Sequence, residues 1–260
     1  MNGWLGLHLL LFPAACRVCR RVLAPRGARL PPYPHLCPAC HAALPWKSPA
    51  YSCRTCGAAT TEPERLRCPR CAEHEPALDA VWSACEYAEP VRAWILALKY
   101  SRRTALARVM GGALATAPHA DAPLAGAELV LPVPLHRARL RRRGFNQSVL
   151  LAHHWLRACA ARGVRPPPLV TTALVRHRNT RPQVELRGEA RRANVAAAFR
   201  VEPAGLPPAL RAPAGAPPLA GRRILLVDDV MTTGSTLNAC ALTLKDEGAA
   251  RVEALVLARA

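Results

Sequence analysis

Lysine is nearly absent from this chain: Lys47, Lys99 and Lys245 are the only three among 260 residues. None follows a glycine, so there is no G-x-x-x-x-G-K-[ST] loop and nucleotide hydrolysis of that type is excluded. No G-x-G-x-x-G string occurs either, which removes the dinucleotide fold that carries it. Acids are scarce as well, with 17 Asp and Glu against 36 Lys and Arg, for a formal net charge of +19. Such an excess suits phosphate-rich partners, nucleotides or nucleic acid. A bias in base composition would produce the same excess, since Arg, Ala and Pro are all abundant. Long hydrophobic runs are missing too. The apolar start, WLGLHLLLFPAAC, has no Lys or Arg before Arg17, and Pro13 stands where a lipoprotein cleavage site needs an aliphatic residue. It reads as a short helix packed on the protein, because an export signal opens with positive charge. No other apolar run approaches the roughly 20 residues of a membrane span. The expectation is a cytoplasmic protein with no membrane span.

What is present begins with cysteine. Eight of eleven cysteines form four C-x-x-C pairs: Cys16/Cys19, Cys37/Cys40, Cys53/Cys56 and Cys68/Cys71. Two residues between thiolates let one tight turn aim both sulfurs at one ion, and two such turns complete a tetrahedral zinc site. The intervals of 17 residues from Cys19 to Cys37 and 11 from Cys56 to Cys68 suit two zinc ribbons. Disulfides are the alternative, disfavoured in a reducing compartment, and fourfold repetition argues against a redox pair. Pairing in chain order is expected, with a crossed arrangement or one lost site left open. His35, His41 and His74 are expected bystanders, and Cys85, Cys159 and Cys240 buried small apolar residues. Residues 1–79 are poor in aliphatic core, so metal would supply their missing stability. Four sulfurs close each site, which suits structure rather than catalysis.

From Ala80 the pattern changes to alternating strands and helices, and 80–260 reads as one α/β unit. VWSACEY, ELVLPVP, LVTTALV, AAFRV, RRILLV and ARVEALVLA read as strands. PVRAWILALKY, residues 105–116, GFNQSVLLAHHWLRACA and STLNACALTLKDEG read as helices. The stretch at about 202–221, rich in Pro and Gly without periodicity, is expected to be a disordered or loosely held loop. Open sheets of this kind place ligands beyond the carboxyl ends of their strands. Asp228 and Asp229 sit at such an end, in ILLVDDVMTTGST, Ile224 to Thr236.

Few machines put paired acids there. A receiver domain needs about a hundred residues after its acids, and only 31 follow Asp229 here. The P-loop and dinucleotide alternatives are already excluded. A ribose-phosphate site remains. Backbone N–H groups of Thr232 to Thr236, at the positive end of the next helix, would hold a phosphate. Gly234 allows close backbone approach, and the hydroxyls of Thr232, Thr233, Ser235 and Thr236 add donors. The two carboxylates then lie about one sugar away, placed to accept from vicinal hydroxyls.

The thirteen-residue string resembles the 5-phosphoribosyl-1-diphosphate (PRPP) motif of type I phosphoribosyltransferases. More narrowly, the chain resembles the ComF family of competence-associated, GntX-like proteins. The supporting segments are LKY at Leu98–Tyr100, VLPVPLHRARLRRRGFNQS at Val130–Ser148, RHRNTRPQVELRGEARRANVAAAF at Arg176–Phe199, and the paired cysteines. The resemblance implies a type I phosphoribosyltransferase-like α/β fold with a largely parallel open sheet, preceded by a small double zinc-ribbon domain. It assigns the ribose hydroxyls to Asp228 and Asp229, and the 5-phosphate to Thr232, Thr233, Gly234, Ser235 and Thr236. Pro134, Leu135, His136 and Arg137 fall in the pyrophosphate loop, where Arg139, Arg141, Arg142 and Arg143 would add charge or form a solvated or partner-binding face. Arg176, Thr180, Gln183 and Arg192 fall in the flexible catalytic loop, with structural and catalytic roles both open. Asn146 and Gln147 read as cap and packing for a helix turn. The implied function is Mg²⁺-dependent phosphoribosyl transfer from PRPP to an unidentified acceptor. The alternative is a non-catalytic protein that senses PRPP or a ribose 5-phosphate nucleotide, or that handles single-stranded DNA beside DNA-uptake proteins. Zn²⁺, as two structural ions, and Mg²⁺, with PRPP, are the implied cofactors.

Overall fold

The computed structural model describes residues 15–23, 35–63, 67–178, 198–213 and 215–260. The apolar start expected as a short helix lies outside the described residues. So do Thr180, Gln183 and Arg192 of the expected catalytic loop.

Four strands form one sheet: β1 (Ala80–Glu86), β2 (Leu129–Pro132), β5 (Arg223–Met231) and β6 (Arg251–Arg259). Their order is β1-β6-β5-β2, and every pairing is parallel. Central β5 and β6 read as continuous apolar runs because both faces are covered, as a parallel sheet requires. On one face lie α3 (Val91–Tyr100), α4 (Leu106–Ala115) and α6 (Gln147–Ala161). They bury Trp94, Met110, Leu114, Leu151 and Trp155 against Leu225, Val227, Leu255 and Leu257. Helix α4 approaches α6 very closely: a Cβ at Gly111 would lie 2.6 Å from the Trp155 backbone nitrogen. The other face takes α7 (Ser235–Asp246) and a small antiparallel pair, β3 (Leu174–Arg176) and β4 (Phe199–Val201), around Leu226, Leu237 and Val256. Among the described residues, no helix is long and apolar enough to cross a membrane.

The two ribbons lie directly against this unit. Each has a knuckle closed by an antiparallel bridge, Ala15↔Val22 in the first and Ser52↔Ala59 in the second. Each continues into a five-residue helix that begins with proline, α1 (Pro38–Ala42) and α2 (Pro69–Glu73). Leu36 and Leu44 enter the cluster that holds Trp94 and Met110. After α1 the chain runs along the edge of β1. Lys47 N–H donates to Ala84 O at 2.9 Å, and Glu86 N–H to Pro45 O at 2.9 Å. Beyond it, Val81 N–H donates to Arg54 O at 2.8 Å.

Two further segments lie beside this framework. The arginine run forms a helix, α5 (Arg137–Arg143), directly after the loop Pro134–His136. His136 caps it by accepting from Ala138 N–H, and Gly144 ends it in the left-handed region at φ 87°. The described part of the proline-rich stretch makes contact with the sheet unit at two points. Short 3₁₀ turns span Pro203–Gly205 and Pro208–Leu210. Leu206 and Leu219 are buried, and Leu219 N–H donates to Glu247 O at 2.9 Å. Periodicity failed as a signal because proline turns anchored by single leucines have none. Leu219→Ala is therefore expected to cost about 2–4 kcal/mol, as for a core leucine. A lowered urea midpoint with an unchanged m-value would show it, and no shift would mean the segment carries no packing load.

Candidate functional site

Strand β5 delivers both acids to the carboxyl end of the sheet, where helices α3, α5 and α6 converge. Asp229 is 1% exposed. A buried carboxylate must be compensated, and three elements supply the groups. Lys99, at the last turn of α3, brings Nζ to 2.6 Å from Asp229 Oδ2, an ion pair without hydrogen-bond alignment. Gln147 Nε2 donates to Oδ1 at 3.4 Å, and Arg143 of α5 donates to Gln147 Oε1. Asp228 keeps partial exposure. Its Oδ1 accepts from Ser148 Oγ at 2.7 Å and from Asp229 N–H at 2.9 Å. Burial and the neighbouring Asp229 charge push the Asp228 carboxyl up to about 7, against the opposing pull of Ser148 and Lys99.

Behind the acids the backbone turns at Thr232–Gly234 into α7. Gly234 sits at φ 80°, a conformation that favours glycine. Thr233 Oγ1 and Ser235 Oγ lie 2.8 Å apart, and Ser235 N–H reaches Thr233 Oγ1 at 3.4 Å. Thr232 and Thr233 are exposed, and Ser235 and Thr236 half-buried. The loop forms one wall of a cleft of about 320 Å³. The opposite wall is the second ribbon, through Thr55, Arg70 and His74.

Pro134, Leu135 and His136 follow β2, half-buried, with Arg137 exposed at the start of α5. Asn146 caps α6, accepting from Ser148 N–H at 2.9 Å, and donates to Val133 O at 3.0 Å. It thereby fixes the loop's exit. Arg176 places its guanidinium 5.4 Å from the Phe199 ring centroid. Burial lowers its pKa, as does the nearby Arg139, while Cys240 and Asp228 oppose the shift. The structure thus gathers the acid pair, the hydroxyl loop, Arg143 and Arg176 at one end of the sheet. Arg192 lies outside the described residues. Sequence reasoning missed Lys99 and Ser148 as partners of the acids and took Gln147 for packing alone. The signal for Lys99 was a lone lysine closing a helix whose other face is apolar.

The cysteines gather in chain order: Cys16, Cys19, Cys37 and Cys40 in one cluster, and Cys53, Cys56, Cys68 and Cys71 in the other. Within each cluster the sulfurs lie within 4.8 Å of one another, and among the described residues no histidine belongs to either. Cys19 and Cys37 Sγ are 3.7 Å apart, as are Cys56 and Cys68 Sγ. A tetrahedron with Zn–S of about 2.3 Å has an edge of about 3.8 Å, so the separations fit zinc and exceed a disulfide of about 2.05 Å. Backbone N–H groups point at the sulfurs, from Cys40 to Cys37 at 3.5 Å and from Cys68 to Cys53 at 3.3 Å. Burial works to raise the Cys16 and Cys53 thiols, but such donors outweigh it and bring them down to about 6 and about 7. Two four-cysteine groups therefore suit structural zinc, with Cys85, Cys159 and Cys240 buried apart from them.

The phosphoribosyl transferase domain family matches residues 169–260, the segment that carries the acids and the hydroxyl loop. The DNA utilization protein YhgH of Escherichia coli strain K12 is 31% identical over 259 residues, 96% of this chain and 99% of that protein. YhgH of Salmonella typhimurium is 30% identical over the same shares. Competence protein F of Haemophilus influenzae is 31% identical over 200 residues, 74% of this chain and 78% of its own. Among solved structures, the glutamine PRPP amidotransferase of B. subtilis, complexed with ADP and GMP, matches at a TM-score of 0.34 and 17% identity. That match covers 58% of this chain and 25% of the other. With its phosphoribosyl transferase domain behind two four-cysteine clusters, and near-complete alignment to these relatives, the chain belongs to the ComF family, that of competence protein F and DNA utilization protein YhgH.

Proposed function

We propose that this protein binds PRPP with Mg²⁺ and transfers its phosphoribosyl group to an acceptor, using the carboxyl edge of the sheet as the donor site. The observation that carries this reading is the acid pair followed at once by a hydroxyl-rich turn into α7. In it, Asp228 and Asp229 take the ribose hydroxyls, and Asp228, with its partial exposure and one oxygen that makes no contact with Ser148, leads. The loop from Thr232 to Thr236 holds the 5-phosphate. Pro134 to Arg137, with Arg139 and Arg143 behind, meet pyrophosphate. Arg176 stands beside the acids, where a cation can offset charge that develops on the leaving group. Mg²⁺ would supply further charge neutralisation on the pyrophosphate as it departs. The residues' work is positional: they fix the sugar so that the nucleophile meets the anomeric carbon in line. Residues 1–79 fold around two zinc ions, and 80–260 form the phosphoribosyltransferase-like unit.

A second reading is favoured by α5. Arg137, Arg139, Arg141, Arg142 and Arg143 occupy one seven-residue helix, and Arg102 joins them by donating to Arg142 O at 2.8 Å. Relatives are named for DNA utilization and competence, so this surface suits single-stranded DNA in an uptake role, with PRPP as substrate or signal.

Calorimetry is expected to show Mg²⁺-dependent PRPP binding that Asp228→Asn weakens by tenfold or more. A wild-type protein indifferent to PRPP would end the proposal, and binding without pyrophosphate release over a panel of bases would leave a sensor. Because the Asp228 carboxyl is raised to about 7, it accepts fully only once deprotonated. PRPP affinity should therefore rise as pH passes upward through about 7 and fall below it. For the second reading, gel shifts with single-stranded DNA should weaken steeply with salt and lose affinity in Arg141→Ala/Arg142→Ala/Arg143→Ala; no shift at low salt counts against it. Metal analysis should find about two zinc ions per chain. A strong chelator is expected to open residues 1–79 to protease before a fragment beginning near Ala80 is cut, and equal rates of cutting would refute that division.

A further inference from the structure

Helix α2 holds Arg70 between Cys68 and Cys71, two of the four sulfurs of the second cluster. With a proline start and only five residues, the helix has little stability of its own. Zinc bound to the flanking sulfurs would therefore set where Arg70 stands. Its side chain crosses to the sheet unit, where Nη2 donates to Thr233 O at 3.1 Å, over 163 residues of sequence. A second tether lies close by: Asn238, in the first turns of α7, accepts from Ala77 N–H at 2.6 Å. The cleft of about 320 Å³ lies between these parts.

The consequence for the loop follows from the peptide plane. In a trans peptide the C=O and the following N–H point in opposite directions. Drawing the Thr233 carbonyl toward Arg70 therefore turns the Gly234 N–H away from the ribbon. A guanidinium has five donors, and this carbonyl uses one. Those left over stand beside the turn as positive charge. That charge favours an anion on the cleft side of the turn and does not depend on the arginines of α5.

We propose that Arg70 is a positioning residue for the hydroxyl-rich loop, so that the second zinc ribbon is part of the site for a pentose 5-phosphate monoester. The inference rests on the reading that Thr232 to Thr236 hold the sugar phosphate. It goes beyond it by giving that grip to a residue fixed by zinc. Arg70 is exposed and bonds a neutral carbonyl, so its removal should leave the fold intact and act on the ligand.

The test measures ribose 5-phosphate and pyrophosphate binding separately, by calorimetry on the full zinc-loaded chain. Arg70→Ala is expected to weaken ribose 5-phosphate about tenfold, the scale of one lost charge-assisted bond. Arg70→Lys should recover part of the loss. Pyrophosphate affinity and zinc content should match the wild type. Arg67→Ala serves as the control, since it removes the same charge from the same ribbon at a residue paired with Glu75 at 2.8 Å, and it should change nothing. Unaltered ribose 5-phosphate affinity in Arg70→Ala overturns the inference while leaving the donor-site reading in place. Loss of zinc or of pyrophosphate binding in that variant overturns it too, because Arg70 would then be a general structural residue. A wild type that binds neither ribose 5-phosphate nor PRPP refutes both.

Discussion

A carboxylate that ends a buried strand must find a cation or lose its charge, and most of the upper edge of this molecule follows from how Asp229 meets that demand. At 1% exposure it has almost no water. Lys99 is supplied by α3, Gln147 by α6, and Arg143 by α5 through Gln147. One side chain thus ties three helices to the central strand. Removing one partner from a buried pair typically costs about 3–5 kcal/mol, because the other is left charged and alone. The same arrangement makes the two acids unequal. Asp229 is fully engaged by the protein, while Asp228, one residue earlier, retains an open side and a carboxyl that ionises only near neutral pH.

How much of this was legible beforehand depended on distance along the chain. The cysteine clusters were readable because metal geometry is local: two residues between sulfurs define each knuckle, and the two knuckles of each site are sequential. The acid and hydroxyl loop was readable for the same reason, being one strand end and one helix start. The partners of the acids were not. Ser148 meets Asp228 across 80 residues, and nothing in either neighbourhood names the other until the parallel order of the strands places α6 over β5. The arginine helix was missed because Leu140 is its sole large apolar residue and is itself exposed. With no stripe to bury, its caps at His136 and Gly144 were the only signs. In the proline-rich segment the buried Leu206 and Leu219 stand among prolines without period, so sequence pattern does not single them out.

The ribbons divide the labour between them. The first sends Leu36 and Leu44 into the cluster around Trp94, and His41 bonds Thr116 at 2.8 Å, so it serves as a wall of the core. The second touches the sheet near the carboxyl end of β5, with Arg259 Nε donating to Cys56 O at 3.2 Å and Arg70 reaching Thr233. Cysteine spacing alone makes the two look like copies. Their neighbours make them different parts.

The backbone that leaves the first ribbon runs antiparallel to β1 and satisfies its outer groups. At the opposite margin, Val130 is bridged to Leu169. An open sheet presents unpaired edges that invite other chains, and here each margin has a cover. The cover on β1 is a segment of irregular chain that follows a four-cysteine group suited to zinc. In a cell short of zinc, newly made chains would present a bare, apolar strand to one another. Metal supply would then govern the solubility of this protein as well as its fold.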